Sequence, residues 1–96
     1  MSKTLLMSRY AEKIHPVTNA DKFYLVCLWR DPDSGQATAE ATWGRRGTAG
    51  KTTVLYQGLS LPQAQTAADN KWTDKVHDGY IPVTSIPAAL ASIHGI

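Results

Sequence analysis

Apolar and polar positions change their spacing several times along this chain, and each change marks an element. Residues 4–10 alternate loosely. Leu5, Met7 and Arg9 share one face of an extended segment, which predicts a first strand. Residues 15–21 break the pattern, because Pro16 is excluded from an ordinary central strand and Asn19 and Asp21 suit a turn. Residues 22–30 give the strongest strand signal. They are rich in aromatic and β-branched side chains, and apolar residues fall on both faces. That predicts a central strand covered on at least part of each side.

The segment Asp31-Pro32-Asp33-Ser34-Gly35 is a turn, with proline pre-setting its own backbone angle. Alternation returns in residues 36–43, where Ala37, Ala39, Ala41 and Trp43 face one way and Thr38, Glu40 and Thr42 the other. Two such runs joined by a short Pro/Gly turn pair as an antiparallel hairpin. Residues 44–50 carry three glycines and read as a loop. Residues 51–57 alternate again and predict a further strand.

The period then lengthens. Leu61, Ala64, Ala68, Trp72 and Val76 recur at three and four residues and define one apolar helical stripe. Ser60 and Gln63 form an S-x-x-Q capping box, and Pro62 is tolerated in a first turn. Asp78-Gly79 ends the helix. Residues 80–83 predict a short last strand, and residues 85–94 hold a weaker helix pattern with Leu90 and Ile93. Strands followed by one main helix predict an α+β domain: an antiparallel β-sheet of about four to five strands packed against one main α-helix.

Composition narrows the function. The chain has 96 residues, enough for one domain with a modest core. Its net charge is only +2, so any nucleic-acid site must be local rather than a property of the whole surface. A single cysteine, Cys27, sits in an apolar strand and reads as a buried packing residue. No secretion signal and no membrane-length apolar run are read in the sequence, so the expected location is cytoplasmic.

The chemistry concentrates in one window. Arg45, Arg46 and Lys51 lie within residues 43–53, which contain no acid. Trp43 stands at the mouth of the same loop. An aromatic face beside arginines and exposed amides can stack on a base or sugar and hold a phosphate. The alternative stays open that Trp43 is a core residue, because it shares the parity of Ala37, Ala39 and Ala41. Gly50-Lys51-Thr52 imitates the end of a phosphate-binding P-loop. The first glycine of that motif is missing at Arg45, and a strand rather than a helix follows. His15, His77 and His94 are scattered, and no spacing fits zinc. No catalytic residues, metal, cofactor or small-molecule substrate are therefore expected.

The ordered set Lys22-Phe23-Tyr24 after Asn19, Trp43-Gly44-Arg45-Arg46-Gly47 with Gly50, Lys71-Trp72-Thr73-Asp74-Lys75, and Gly79-Tyr80 resembles the WGR domain family across roughly residues 4–83. The family occurs in DNA-dependent poly(ADP-ribose) polymerases and in bacterial proteins, some of them short stand-alone chains, which this one looks like. The resemblance implies a WGR-like domain over residues 1–83 and a C-terminal tail over 84–96 with a short helix pattern. It implies DNA-end binding, with Trp43 packing on a terminal sugar and Arg45 contacting DNA or a neighbouring domain. With Arg46 and Lys51 added from the acid-free basic window, the expected nucleic-acid-binding set is Trp43, Gly44, Arg45, Arg46, Lys51, Lys71 and Lys75. Position 46 is often aliphatic in the family, so Arg46 is a departure that, if exposed, adds a phosphate-seeking charge. Nothing resembles the polymerase catalytic domain, so an enzyme is not expected. The alternative partner is another protein, met through the same loop.

Overall fold

The structure is a computed structural model that describes residues 3–96; residues 1 and 2, where the expected domain span begins, lie outside the described residues. Its elements are β1 (Thr4–His15), a 3-10 turn (Pro16–Thr18), β2 (Ala20–Arg30), β3 (Ala37–Arg45), β4 (Lys51–Gly58), α1 (Leu61–His77), β5 (Ile81–Val83) and α2 (Ala88–Ile93). The five strands form one sheet in the order β4-β3-β2-β1-β5, with every neighbouring pair antiparallel. The helix α1 covers one face, called the front here, and the C-terminal segment with α2 covers part of the back.

The central strand explains this three-layer build. Every residue of β2 from Phe23 to Trp29 is buried, so its side chains supply two cores. Tyr24, Val26 and Leu28 face the front with Ala11, Ala37, Ala39 and Ala41. Phe23, Leu25, Cys27 and Trp29 face the back with Tyr10 and Leu90. The three β3 alanines are at most 1% exposed and meet Ala64 and Ala68 of α1, both fully buried. Small side chains on both elements bring helix and sheet close together. Behind them, Thr38 and Thr42 are buried too, and the Thr42 hydroxyl is satisfied by the Thr52 hydroxyl at 2.8 Å.

Two details of the sequence pattern resolve differently in three dimensions. Strand β1 runs five residues further than expected, and its register slips between Leu5 and Met7. The extra residue, Leu6, reverses the alternation, so Leu5 joins the back core and Met7 the front core. Leu5 and Met7 thus do not share a face. Similarly, Val76 does not extend the apolar stripe of α1 and is exposed. At about 100° per residue, Lys75 falls about 20° from both Ala64 and Ala68, whereas Val76 falls about 120° from Ala64. The side chain at the centre of the inward face is therefore a lysine.

Ser60 and Gly79 bound α1 as the sequence implies, but only half of the Ser60–Gln63 capping box forms. The Ser60 hydroxyl accepts the Gln63 N–H at 3.3 Å, while the Ser60 N–H donates to the Tyr56 hydroxyl at 3.2 Å. At the other end Gly79 takes a positive φ of 103°. That lets the Tyr80 N–H reach the Lys75 carbonyl at 3.0 Å and turns Tyr80 into the front core. The turn thereby places Lys75 and Tyr80 side by side.

Candidate nucleic-acid interface

The signature residues sit where β3 runs out past the end of α1. Trp43 lies opposite Tyr24 on β2 and Lys51 on β4, so all three share the front face. One face of the Trp43 ring stacks on Tyr24, with centroids 6.2 Å apart and planes at 18°. The residue keeps 36% of its surface exposed. Trp43 is thus neither a core residue nor a loose one. It continues the front core outward and leaves indole surface open.

Beside it lies a cleft of about 400 Å³ lined by Asn19, Asp21, Lys22, Trp43, Gly44, Arg45, Lys75, Asp78 and Tyr80. A second depression, bordered by Tyr24, Trp43, Thr53, Lys71, Lys75 and Tyr80, adjoins it along α1. The Lys75 ammonium stands 5.1 Å from the Tyr24 ring centroid and 6.0 Å from that of Tyr80. Burial, the neighbouring Tyr80 and Asp74 push the Tyr24 hydroxyl up to about 12. Burial, and then Asp78, also raises that of Tyr80. Both rings stay neutral at physiological pH and present their negative faces to the ammonium, which fixes its place in the cleft.

The two consecutive arginines part company. Arg45 has the parity of Trp43 and stays on the front, paired with Lys22 in register. Arg46 turns to the back. Its Nε donates to Asp21 and its guanidinium lies 3.6 Å from Glu12, while its backbone N–H donates to the Asp21 carbonyl. Asp21, first among its neighbours, holds Arg46 more firmly in its charged form. The window 43–53 has no acid in sequence, yet the fold brings Asp21 and Glu12 to it from β2 and β1.

Among the described residues, Lys22, Arg45, Lys51, Lys71 and Lys75 make no ion pair, whereas both acids lining the cleft are already engaged. Asp21 holds Arg46, and Asp78 lies 3.8 Å from Lys13, which also donates to the Asp78 carbonyl at 2.8 Å. The structure therefore brings Trp43, Gly44, Arg45 and Lys75 into one cleft and Lys71 into its extension. Lys51 flanks Trp43 from the β4 side, outside the cleft lining, and Arg46 lies on the other face. Asn19, Asp21, Lys22, Asp78 and Tyr80 complete the cleft, and Tyr24 borders its extension. Sequence reasoning quoted Asn19, Lys22, Tyr24 and Tyr80 as motif letters without placing them in the site. A helical wheel alone points to Lys75, but the meeting of the two tyrosines depends on the sheet register.

The glycines are mainly structural. A Cβ on Gly44 would meet the Gly50 Cα at 2.9 Å, and one on Gly50, at φ 72°, would meet the Trp43 carbonyl at 2.5 Å and the Phe23 ring at 2.7 Å. The two ends of the loop thus back directly onto each other and onto Phe23. Size alone does not select the site. A hollow of about 440 Å³ on the back face, bordered by Lys3, Cys27, Glu40, Thr52 and His94, is slightly larger. It contains none of the signature residues.

These features assemble the scattered motif letters into one surface. The chain belongs to the WGR domain family, whose model, described as WGR domain, matches residues 7–86. No curated protein matches the chain. Among the described residues no helix is long and apolar enough to cross a membrane, and no group of three or more His, Cys, Asp or Glu side chains could hold a metal ion.

Proposed function

We propose that this domain is a binding module for nucleic acid, DNA in preference, and not an enzyme. The supporting observation is the open indole of Trp43, set on Tyr24 beside cations that no acid engages. In this reading Trp43 stacks on a sugar or base at a duplex end, and Arg45, Lys71 and Lys75 take the adjoining phosphates. Lys51 meets phosphate from the β4 side. Stacking tolerates any base, and phosphate contacts carry no sequence information, so binding is sequence-tolerant. Four phosphate contacts give a log-log salt slope of about −3 to −4. A fluorescence-anisotropy titration of a labelled duplex with a free 5′ end, at two salt concentrations, tests this. Absence of binding at low salt, or equal binding by the Trp43→Ala, Arg45→Ala double variant, overturns it.

A protein partner is the second reading. The paired acids Asp21 and Asp78 on the cleft rim give it the mixed charge of a protein-binding surface, and Trp and Arg are the residues most enriched in interface hot spots. Capture of one protein partner after nuclease treatment, lost in the same double variant, would favour it.

A further inference from the structure

The loop of residues 45–50 is exposed throughout. Within itself it is tied only by the Thr48 N–H and Thr48 hydroxyl, both donating to the Arg45 carbonyl at 3.2 and 2.7 Å. Such a loop keeps one shape only if something outside it holds that shape. Arg46 supplies one anchor, through Asp21. Phe23 behind Gly50 supplies a second, and further contacts come from the far end of the chain.

Phe23, 1% exposed, lies directly behind Gly50, stacks on Tyr10 at 6.2 Å, and shares the back core and a cavity wall with Leu90 of α2. Between loop and helix is a small apolar cavity of about 120 Å³, walled by Gly47, Thr48 and Ala49 on one side and by Pro87, Leu90 and Ile93 on the other. One direct bond closes the gap. His94 donates from Nε2 to the Ala49 carbonyl at 3.1 Å, across 45 residues of sequence. The matched family region ends at residue 86, so every one of these C-terminal contacts lies beyond it.

We infer that residues 87–96 are a positioning element for the loop that follows Trp43-Gly44-Arg45, with Leu90 acting through Phe23 and His94 acting through the Ala49 carbonyl. The segment touches no ligand in this scheme. It holds the turn that joins β3 to β4, and so steadies the chain on either side of it, Trp43 and Arg45 at the end of β3 and Lys51 at the start of β4. The consequence for binding rests on the nucleic-acid reading above; the consequence for the loop does not.

The test uses the full chain with His94→Ala, His94→Gln and Leu90→Ala, read by amide hydrogen exchange of residues 45–50 and by duplex anisotropy. Glutamine carries an N–H donor close to the place of His94 Nε2. His94→Ala is expected to speed exchange of the Arg46 and Thr48 amides, the hydrogen-bonded N–H groups of the loop, and to weaken duplex binding about 2- to 5-fold, as loss of one exposed hydrogen bond allows. His94→Gln restores both. Leu90→Ala is expected to act in the same direction and more strongly, with some loss of stability from its buried position. Since Leu90→Ala also loosens the core, the His94 pair decides. Unchanged loop exchange in His94→Ala overturns the inference whatever the duplex does. A faster loop with unchanged affinity in a duplex-binding protein overturns the link to the site. If the wild-type chain binds no duplex, the nucleic-acid reading fails, and the exchange result still decides whether the segment holds the loop.

Discussion

The two faces of the sheet use the same strands for different ends. On the front, Tyr24, Trp43, Lys75 and Arg45 follow one another from core to solvent, and their charges are left unpaired. On the back, Phe23, Tyr10 and Arg46 occupy neighbouring positions, and the cation is neutralised by Asp21 and Glu12. Alternation along β2 and β3 makes this division, since consecutive residues point to opposite faces. Phe23 and Tyr24, or Arg45 and Arg46, differ by one position in sequence and by a whole layer in space. Stability gathers on the back of the signature loop and recognition on its front.

The largest effect that would sharpen this contrast is on stability. Phe23→Ala removes a buried ring that supports both Gly50 and Leu90. It should cost about 3–5 kcal/mol, a large share of what a domain of this size has. A urea melt measures it, and a change under about 1 kcal/mol would mean that Phe23 is not the support of the loop. On the front, Trp43→Ala should leave the fold intact and weaken duplex binding about 10- to 100-fold, the range for losing one aromatic stack. A binding loss accompanied by a collapse in the melt would instead make Trp43 a core residue.

Next comes the arginine pair. Arg45→Ala should reduce affinity about tenfold, as for one charge-assisted phosphate contact. Arg46→Ala should reduce it less, about 2- to 5-fold, because its charge is already engaged by Asp21 and Glu12 and what is lost is one anchor of the loop. Equal losses would erase the distinction between the faces. A separate effect, on pH dependence, concerns Cys27 in the back core, whose thiol is pushed up to about 12 by burial and, after that, by Glu40. In the unfolded chain the thiol ionises near its ordinary value of about 8.5. The neutral thiol is therefore favoured by folding. The folded state loses that advantage as pH rises above about 9 toward 12. Urea midpoints at pH 8 and pH 10 should drop more for the wild type than for Cys27→Ala, and equal drops would mean the thiol is not desolvated.

Much of this was legible in the sequence because local rules and the fold agree. The alternating alanines of β3, the capped and glycine-terminated helix, and the apolar run of β2 each point to the element observed. The bulge at Leu6 was not legible, since one inserted residue leaves no mark on composition yet reverses the parity of what precedes it. Lys75 is named for the site by the family resemblance, but its inward place on α1 escaped, because an apolar stripe invites the next apolar residue, Val76, although the helical angle favours the lysine. The acids beside Arg46 escaped for a different reason. Asp21 and Glu12 are distant in sequence and arrive only through the β1–β2–β3 register. The membership of the cleft depends in the same way on pairing, which places Tyr24 against Trp43 and turns Tyr80 beneath Lys75. The share of the C-terminal segment in the back core likewise depends on the folded sheet it packs against.

The central claim is that recognition is confined to one face of the sheet. Backbone amide chemical-shift mapping with a short duplex, at low salt, tests it most directly. Shifts are expected at Tyr24, Trp43, Gly44, Arg45, Lys51, Lys71 and Lys75, with the back-face residues Cys27, Glu40 and Thr52 unmoved. Shifts centred on that back face, or no shifts at any residue, would contradict it.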